Sequence, residues 1–137
     1  MADEAERSIE ELIRAYARSA SRGRPSELAT YFTADGSLEL PGMDPATGAP
    51  AIRERLREVL ARVDVRQVLL DVDIQVDVER GAARSDTVVL EHVSSGRAPG
   101  RALVGCYDDD LILTTAGWRF RRRRLAPMFS ISGSGEA

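Results

Sequence analysis

The chain has 137 residues, with 22 acidic and 19 basic side chains and a formal net charge of −3 at pH 7. That length supports one buried core, and the acidic balance argues against a nucleic-acid partner. No apolar run approaches the ~18 residues of a membrane span, and the lone Cys106 cannot close an internal disulfide, which suits a reducing cytoplasm.

The acidic start MADEAERSIEE lacks the apolar stretch of a signal peptide. The first helix is expected over residues 8–22, with Ser8 as cap and Glu11 three residues later. Ile9, Leu12, Ile13, Tyr16, Ala17 and Ala20 form its apolar stripe, and Gly23 stops it. Pro25 suits the first turn of a short second helix carrying Leu28, Tyr31 and Phe32. TADG (33–36) reads as a turn, SLEL (37–40) as a short strand and PGMDPATGAP (41–50) as a loop. A third helix follows, with Ile52, Leu56, Val59, Leu60 and Val63 on one face.

From there the period becomes two. In VLLDVDIQVDVE the apolar set is Val68, Leu70, Val72, Ile74, Val76 and Val78, a long half-buried strand. SDTVVLEHVSS, RALVGCYDDDLILT and WRFRRRRLAP make three more, joined by ERGAARSD, SGRAPGR and TAG. The reading is a single α+β domain over 1–137: three N-terminal helices packed on a strongly curved antiparallel sheet, with 1–7 and 131–137 frayed. Strict alternation in the last strand puts Trp118, Phe120, Arg122 and Arg124 on one side and Arg119, Arg121, Arg123 and Leu125 on the other. Such a strand cannot offer all five arginines to one phosphate backbone, and exposed pairs with the acidic strand residues contribute only about 0–1 kcal/mol each.

The phrases IEELIRAYARSASRG, ATYFTADGSLELPG, TGAPAIRERL and CYDDDLILTTAGWRFRRR, in this order and spacing, resemble the nuclear transport factor 2-like superfamily, particularly its SnoaL-like branch. The resemblance covers roughly residues 8–125 and implies a cone in which helices and sheet enclose an apolar cavity. It also implies a homodimer formed through the convex sheet face. Members include polyketide cyclases, ketosteroid isomerase, scytalone dehydratase and limonene epoxide hydrolase, so fold alone does not choose a reaction. Tyr16 lies where ketosteroid isomerase has its oxyanion tyrosine, and Asp109 near that enzyme's second oxyanion donor. The position of its general base is Leu40, and the histidine of many SnoaL-like proteins is Gln67 here. Asp109 with Arg122 or Arg124 is the nearest approach to the epoxide-hydrolase set.

Residue chemistry adds candidates. Asp109 shares a strand side with Tyr107 and Leu111, and a cavity there would raise its pKa. His92, the only histidine, is a candidate general base from its near-neutral pKa. Cys106 reads as core rather than nucleophile. One His and one Cys exclude a zinc site, three successive strand aspartates at 108–110 cannot converge on a metal, and no glycine-rich phosphate loop implies a nucleotide. The expected function is therefore a cofactor-independent enzyme acting on a small apolar molecule by cyclisation, isomerisation or dehydration. A bacterial secondary-metabolism setting fits the family and the absence of Lys and Asn, a bias of GC-rich genomes; a source genome of low GC content would contradict that setting. Tyr16, Asp109 and His92 are the expected catalytic residues. Phe32, Leu40, Met43, Tyr107, Trp118 and Arg122 are the expected substrate contacts. The alternative is a non-catalytic small-molecule-binding or dimeric assembly module.

Overall fold

The stripe expected of the first helix is buried, but the helix starts earlier than its cap suggests. In the computed structural model, which describes residues 2–96 and 100–131, α1 runs Ala2–Ser21. Residues 2–7 are thus helical rather than frayed, because Ala, Glu and Arg dominate them and Asp3 and Glu4 favour the positive end of the helix. Ser8 is an exposed interior residue, not a cap. Met1, 97–99 of the SGRAPGR turn and 132–137 of the tail lie outside the described residues. Gly23 ends α1 in the left-handed conformation (φ 66°): its N–H donates to Ala20 O at 3.1 Å and the N–H of Arg24 to Ser19 O at 3.0 Å. That is a Schellman closure, satisfying carbonyls the helix leaves free.

α2 (Pro25–Ala29) begins on its proline as expected. β1 (Phe32–Glu39) then absorbs TADG, so that segment is strand rather than turn, with a register shift between Phe32 and Ser37. The expected loop 41–50 contains a two-residue strand, β2 (Ala46–Thr47), before α3 (Ala49–Arg62). Four long strands follow: β3 (Asp64–Asp77), β4 (Ala82–Ser94), β5 (Arg101–Thr114) and β6 (Gly117–Ser130). The sheet order is β2-β1-β6-β5-β4-β3. It is antiparallel except where β1 lies parallel to β6, which corrects the wholly antiparallel reading. The fold is α+β, with helices packed on one face of a curved, unclosed six-strand sheet. Ile9, Ile13 and Tyr16 of α1 meet Phe32, Leu111 and Phe120 in one core. Each such side chain, fully buried, contributes about 1.5–3 kcal/mol.

Two bulges overturn the strict alternation. In β3, Leu69 faces Val89 and Asp71 faces Val88, leaving Leu70 unpaired between them. The inward set is therefore Val65, Gln67 and Leu69, then Val72, Ile74 and Val76, while Val68 and Leu70 are exposed. In β6, Phe120 faces Leu111 and Arg122 faces Asp110, leaving Arg121 unpaired. Trp118 and Phe120 thus share the inner side with Arg123 and Leu125, and Arg122 turns outward. A bulge has this effect because one extra residue reverses every later side chain.

Candidate active site

The inner face of the sheet carries rungs set by register. Ser85, Asp109 and Arg123 lie across β4, β5 and β6; Thr87, Tyr107 and Leu125 form the next rung; Gln67 of β3 faces Glu91 of β4 beyond. The first rung is sealed. Arg123 is 1% exposed and Asp109 0% exposed, and Arg123 Nε donates to Asp109 Oδ1 at 2.9 Å. Ser85 Oγ donates to Asp109 Oδ2 at 3.0 Å. The guanidinium also lies over three rings, 3.6 Å from the centroid of Tyr107 and 4.4 Å from those of Tyr16 and Phe120. Burial pushes the Asp109 carboxyl up, against the opposing pull of Arg123 and the Ser85 hydroxyl.

Above that pair lies a cavity of about 220 Å³ between the helices and the sheet. Its helical and loop walls are apolar: Ala20, Leu28, Leu40, Met43, Leu56 and Leu60 all contribute. Its polar groups are Tyr16 from α1, Gln67 from β3, Glu91 from β4 and Tyr107 from β5. Gln67 is fixed at its backbone, whose N–H donates to Ser21 Oγ at 2.9 Å, tying β3 to the end of α1. Its side-chain Nε2 donates to Glu91 Oε2 at 2.8 Å and to Tyr107 Oη at 2.9 Å. Because Tyr107 Oη accepts from Gln67, its own proton is free to point elsewhere.

The electrostatics follow from burial. The Glu91 carboxyl is raised above its ordinary value by desolvation, only partly offset by the bond from Gln67. Tyr107 is pushed up to about 12, first by burial, with Arg123 pulling the other way. Tyr16 is raised well above its ordinary value, again by burial first and then by the neighbouring Tyr107. Both phenols therefore stay protonated and can donate hydrogen bonds, while Glu91 is poised to exchange a proton nearer neutrality. A pocket this size, open at the Met43 rim, holds about one ring, since benzene fits an apolar cavity of ~150 Å³.

Of the residues expected from sequence, Tyr16, Tyr107, Leu40 and Met43 line this cavity, Met43 at its half-exposed rim. Phe32 packs behind Tyr16, with ring centroids 6.1 Å apart, and is core. Trp118 is buried toward the other end of α1, in a groove it shares with Ala5 and Ser8. Asp109 lies below the floor and does not line the cavity. His92 sits in the outward phase of β4 and is exposed, on the opposite face from Glu91. Arg122, also outward, pairs with Glu39, Asp108 and Asp110 at 3.4–3.7 Å, so Asp109's arginine is Arg123, not Arg122 or Arg124. Cys106, another outward residue, is half-buried and its thiol is raised by burial, contrary to an activated nucleophile.

Sequence reasoning missed Glu91 and Arg123. For Glu91 the signal was present: Ala83, Ser85, Thr87 and Val89 alternate inward, and Glu91 continues that phase. For Arg123 there was none, because the bulge at Arg121 reverses the phase.

Among the described residues there is no His, Cys, Asp and Glu grouping that could hold a metal ion, and no helix long and apolar enough to cross a membrane. No curated protein matches the sequence. Among solved structures, a candidate scytalone dehydratase from Novosphingobium aromaticivorans is similar at 24% identity and TM-score 0.85, over 96% of this chain and 91% of that one. A single-substitution variant of Rv3472 from Mycobacterium tuberculosis, a protein of unknown function, is similar at 27% identity and TM-score 0.78, over 95% and 75%. ActVI-ORFA from Streptomyces coelicolor is similar at 13% identity and TM-score 0.74, over 89% and 96%. The family model described as a SnoaL-like domain matches residues 2–124. The chain therefore belongs to the SnoaL-like domain family.

Proposed function

We propose that this protein is a cofactor-independent enzyme that moves a proton on a small, largely apolar molecule, as an isomerase, cyclase or dehydratase does. The observation that carries the reading is Glu91: a carboxylate raised by burial, held by Gln67, in the wall of a cavity lined mostly by apolar side chains. Glu91 exchanges the proton; the Tyr16 and Tyr107 hydroxyls donate to the oxygen on which negative charge develops. Gln67 fixes the carboxylate and turns the Tyr107 proton away from itself. Asp109 and Arg123 act from below, holding both tyrosine rings. The name of the candidate scytalone dehydratase and the Streptomyces source of ActVI-ORFA support, without fixing, a place in natural-product chemistry.

The test is proton exchange into enolisable cyclic ketones, with and without an amino substituent, followed in deuterium oxide by NMR. Glu91→Gln is expected to slow catalysed exchange by about 10²–10⁴-fold, and Tyr16→Phe by about 10²–10³-fold. Exchange that survives both substitutions unchanged removes catalysis from this cavity.

A second reading, a ligand-binding module without catalysis, is favoured by two observations: Leu40, at the position of a family base, is apolar, and Asp109 is sealed by Arg123. Absence of exchange on every ketone, with retained binding, would select it. On either reading the protein is cytoplasmic, as its single thiol suggests, and pairs through the outer sheet face. Support for pairing is a row of aligned apolar side chains, Val68, Leu90, Val104 and Phe129, one from each long strand. Val68 and Phe129 are 56% and 57% exposed in the single chain, an apolar band with a use if covered.

A further inference from the structure

The cavity has a charge preference that its apolar walls conceal. Among the described residues no guanidinium pairs with Glu91, whose carboxylate takes one hydrogen bond, from Gln67. The guanidinium beneath the floor bonds Asp109 through Nε and does not pair with Glu91, although its Nη1 is buried without a hydrogen-bond partner. Gln67 uses its amide nitrogen on Glu91 and Tyr107, and its Oε1 is buried without a hydrogen-bond partner. The same wall thus carries a carboxylate and the uncompensated negative end of an amide dipole. Every element around Glu91 leaves this unanswered. α1 contributes the neutral Tyr16, β3 Gln67, β5 Tyr107, and α2, α3 and the 40–43 loop only apolar side chains to the cavity. Even a partly buried carboxylate is costly unless a cation or donors meet it, and Glu91 is half-buried, so a ligand that brings positive charge gains what the protein withholds. An anionic ligand meets repulsion there instead.

We infer that the cavity selects a molecule of about one ring bearing a protonated amine, its apolar body among Leu28, Leu56 and Leu60 and its nitrogen against Glu91. This deepens the proposed function by naming the ligand class, and it rests on the cavity being the ligand site. The amine donates to Glu91, and the surplus dipole of Gln67 favours the same charge. Ligand ionisation of Glu91 also makes binding release a proton where the free carboxyl is still protonated.

Benzylamine, benzyl alcohol, benzoate and toluene are matched probes, measured by calorimetry and ligand-observed NMR on the full chain. At about pH 8 benzylamine is expected to bind about tenfold or more tighter than benzyl alcohol, the gain of a charge-assisted bond. Benzoate is expected to be the weakest. The advantage of the amine should shrink as pH falls through the titration of Glu91, and Glu91→Gln should abolish it while leaving toluene bound. Benzyl alcohol or benzoate binding as tightly as benzylamine at every pH, or an amine preference kept by Glu91→Gln, overturns the inference and leaves the cavity standing. Failure of all four probes, toluene included, overturns both the inference and the cavity as a ligand site. The pH series on the unaltered chain decides the matter should the variant fail to fold.

Discussion

Arg123→Met tests how the floor of the cavity is held. The substitution leaves Asp109, 0% exposed, with only the Ser85 hydroxyl at 3.0 Å. Removing one partner of a buried ion pair costs about 3–5 kcal/mol, because the remaining charge is desolvated and unanswered. Removing both is a different perturbation. In Asp109→Leu/Arg123→Met the desolvation cost disappears with the charges, and replacement by apolar groups is neutral or stabilising by about 1–4 kcal/mol. Against that stands the loss of a cation lying 3.6 Å from one ring centroid and 4.4 Å from two others, about 2 kcal/mol for a desolvated contact. The two terms nearly cancel, so the double variant should lie within about 2 kcal/mol of the parent and above Arg123→Met. Urea unfolding of the four proteins gives the cycle directly. A double variant as unstable as Arg123→Met, or a single variant costing less than about 1 kcal/mol, would refute the argument that the pair matters through its unpaired charge.

Other perturbations have equally definite signs. Glu91 is raised above its ordinary value of 4.5, so between that value and its folded one the native chain holds a proton the unfolded chain has lost. Its contribution therefore falls as pH rises through that window, and the stability of the parent relative to Glu91→Gln should decline from about pH 4 upward; a flat difference in urea midpoints would contradict it. Leu90→Asp places a charge in the middle of the outer apolar row and should turn a dimer into a monomer by light scattering, with the monomeric fold intact by circular dichroism; a parent that is already monomeric at micromolar concentration removes the dimer. Gly36→Ala would bring a Cβ to 3.1 Å from Thr33 O and 3.2 Å from Phe120 O, both backbone atoms that cannot swing aside. It should cost about 1–3 kcal/mol, and a midpoint equal to the parent's would show that the β1 register can shift.

Much of the architecture was legible because burial repeats. The stripe Ile9, Leu12, Ile13 and Tyr16 has one solution on a helix, and all four are buried. The run Tyr107, Asp109 and Leu111 has one solution on an unbroken strand, and all three face inward. Where strands break, the same rule misleads. Val68 and Leu70 look like core by alternation with Val72, and are exposed because Leu70 is the bulge. Arg122 looks like a neighbour of Phe120, and is outside because Arg121 is. Nothing local in VLLDV or FRRRR marks the extra residue; it is fixed by which partner residues the neighbouring strand offers. The end of α1 at Gly23 could be read locally, its beginning could not, since Ser8 with Glu11 has a capping spacing that a longer run of helix formers overrides.

The same reasoning explains how one basic run can do two opposite things. FRRRR follows Trp118 in a strand that must cover an acidic outer row, Asp108 and Asp110, and also cross a core containing one aspartate, Asp109. In a strict strand running on from the Phe120–Leu111 pair, Asp109 would face Arg122, and Asp110 and Asp108 would face Arg121 and Arg123. The bulge at Arg121 moves the pairing on by one residue: Arg122 meets Asp108 and Asp110 outside at 3.5 and 3.4 Å, and Arg123 meets Asp109 inside at 2.9 Å. Strand alternation sorts the three aspartates and four arginines to the two faces, and the unpaired residue makes Arg123 rather than Arg122 the inner one. The inner pair holds Tyr16 and Tyr107 by their ring faces, leaving their hydroxyls to the cavity and Glu91 as its only unpaired charge among the described lining residues. Deleting Arg121 should therefore be mild: the residues that remain keep the pairs Phe120–Leu111, Arg122–Asp110 and Arg123–Asp109 in plain alternation, and Arg121→Gln, at an exposed position, should leave stability within about 0.5 kcal/mol of the parent. A deletion far less stable than Arg121→Gln in urea would show that the bend of the bulge, and not the pairing alone, holds Arg123 against Asp109.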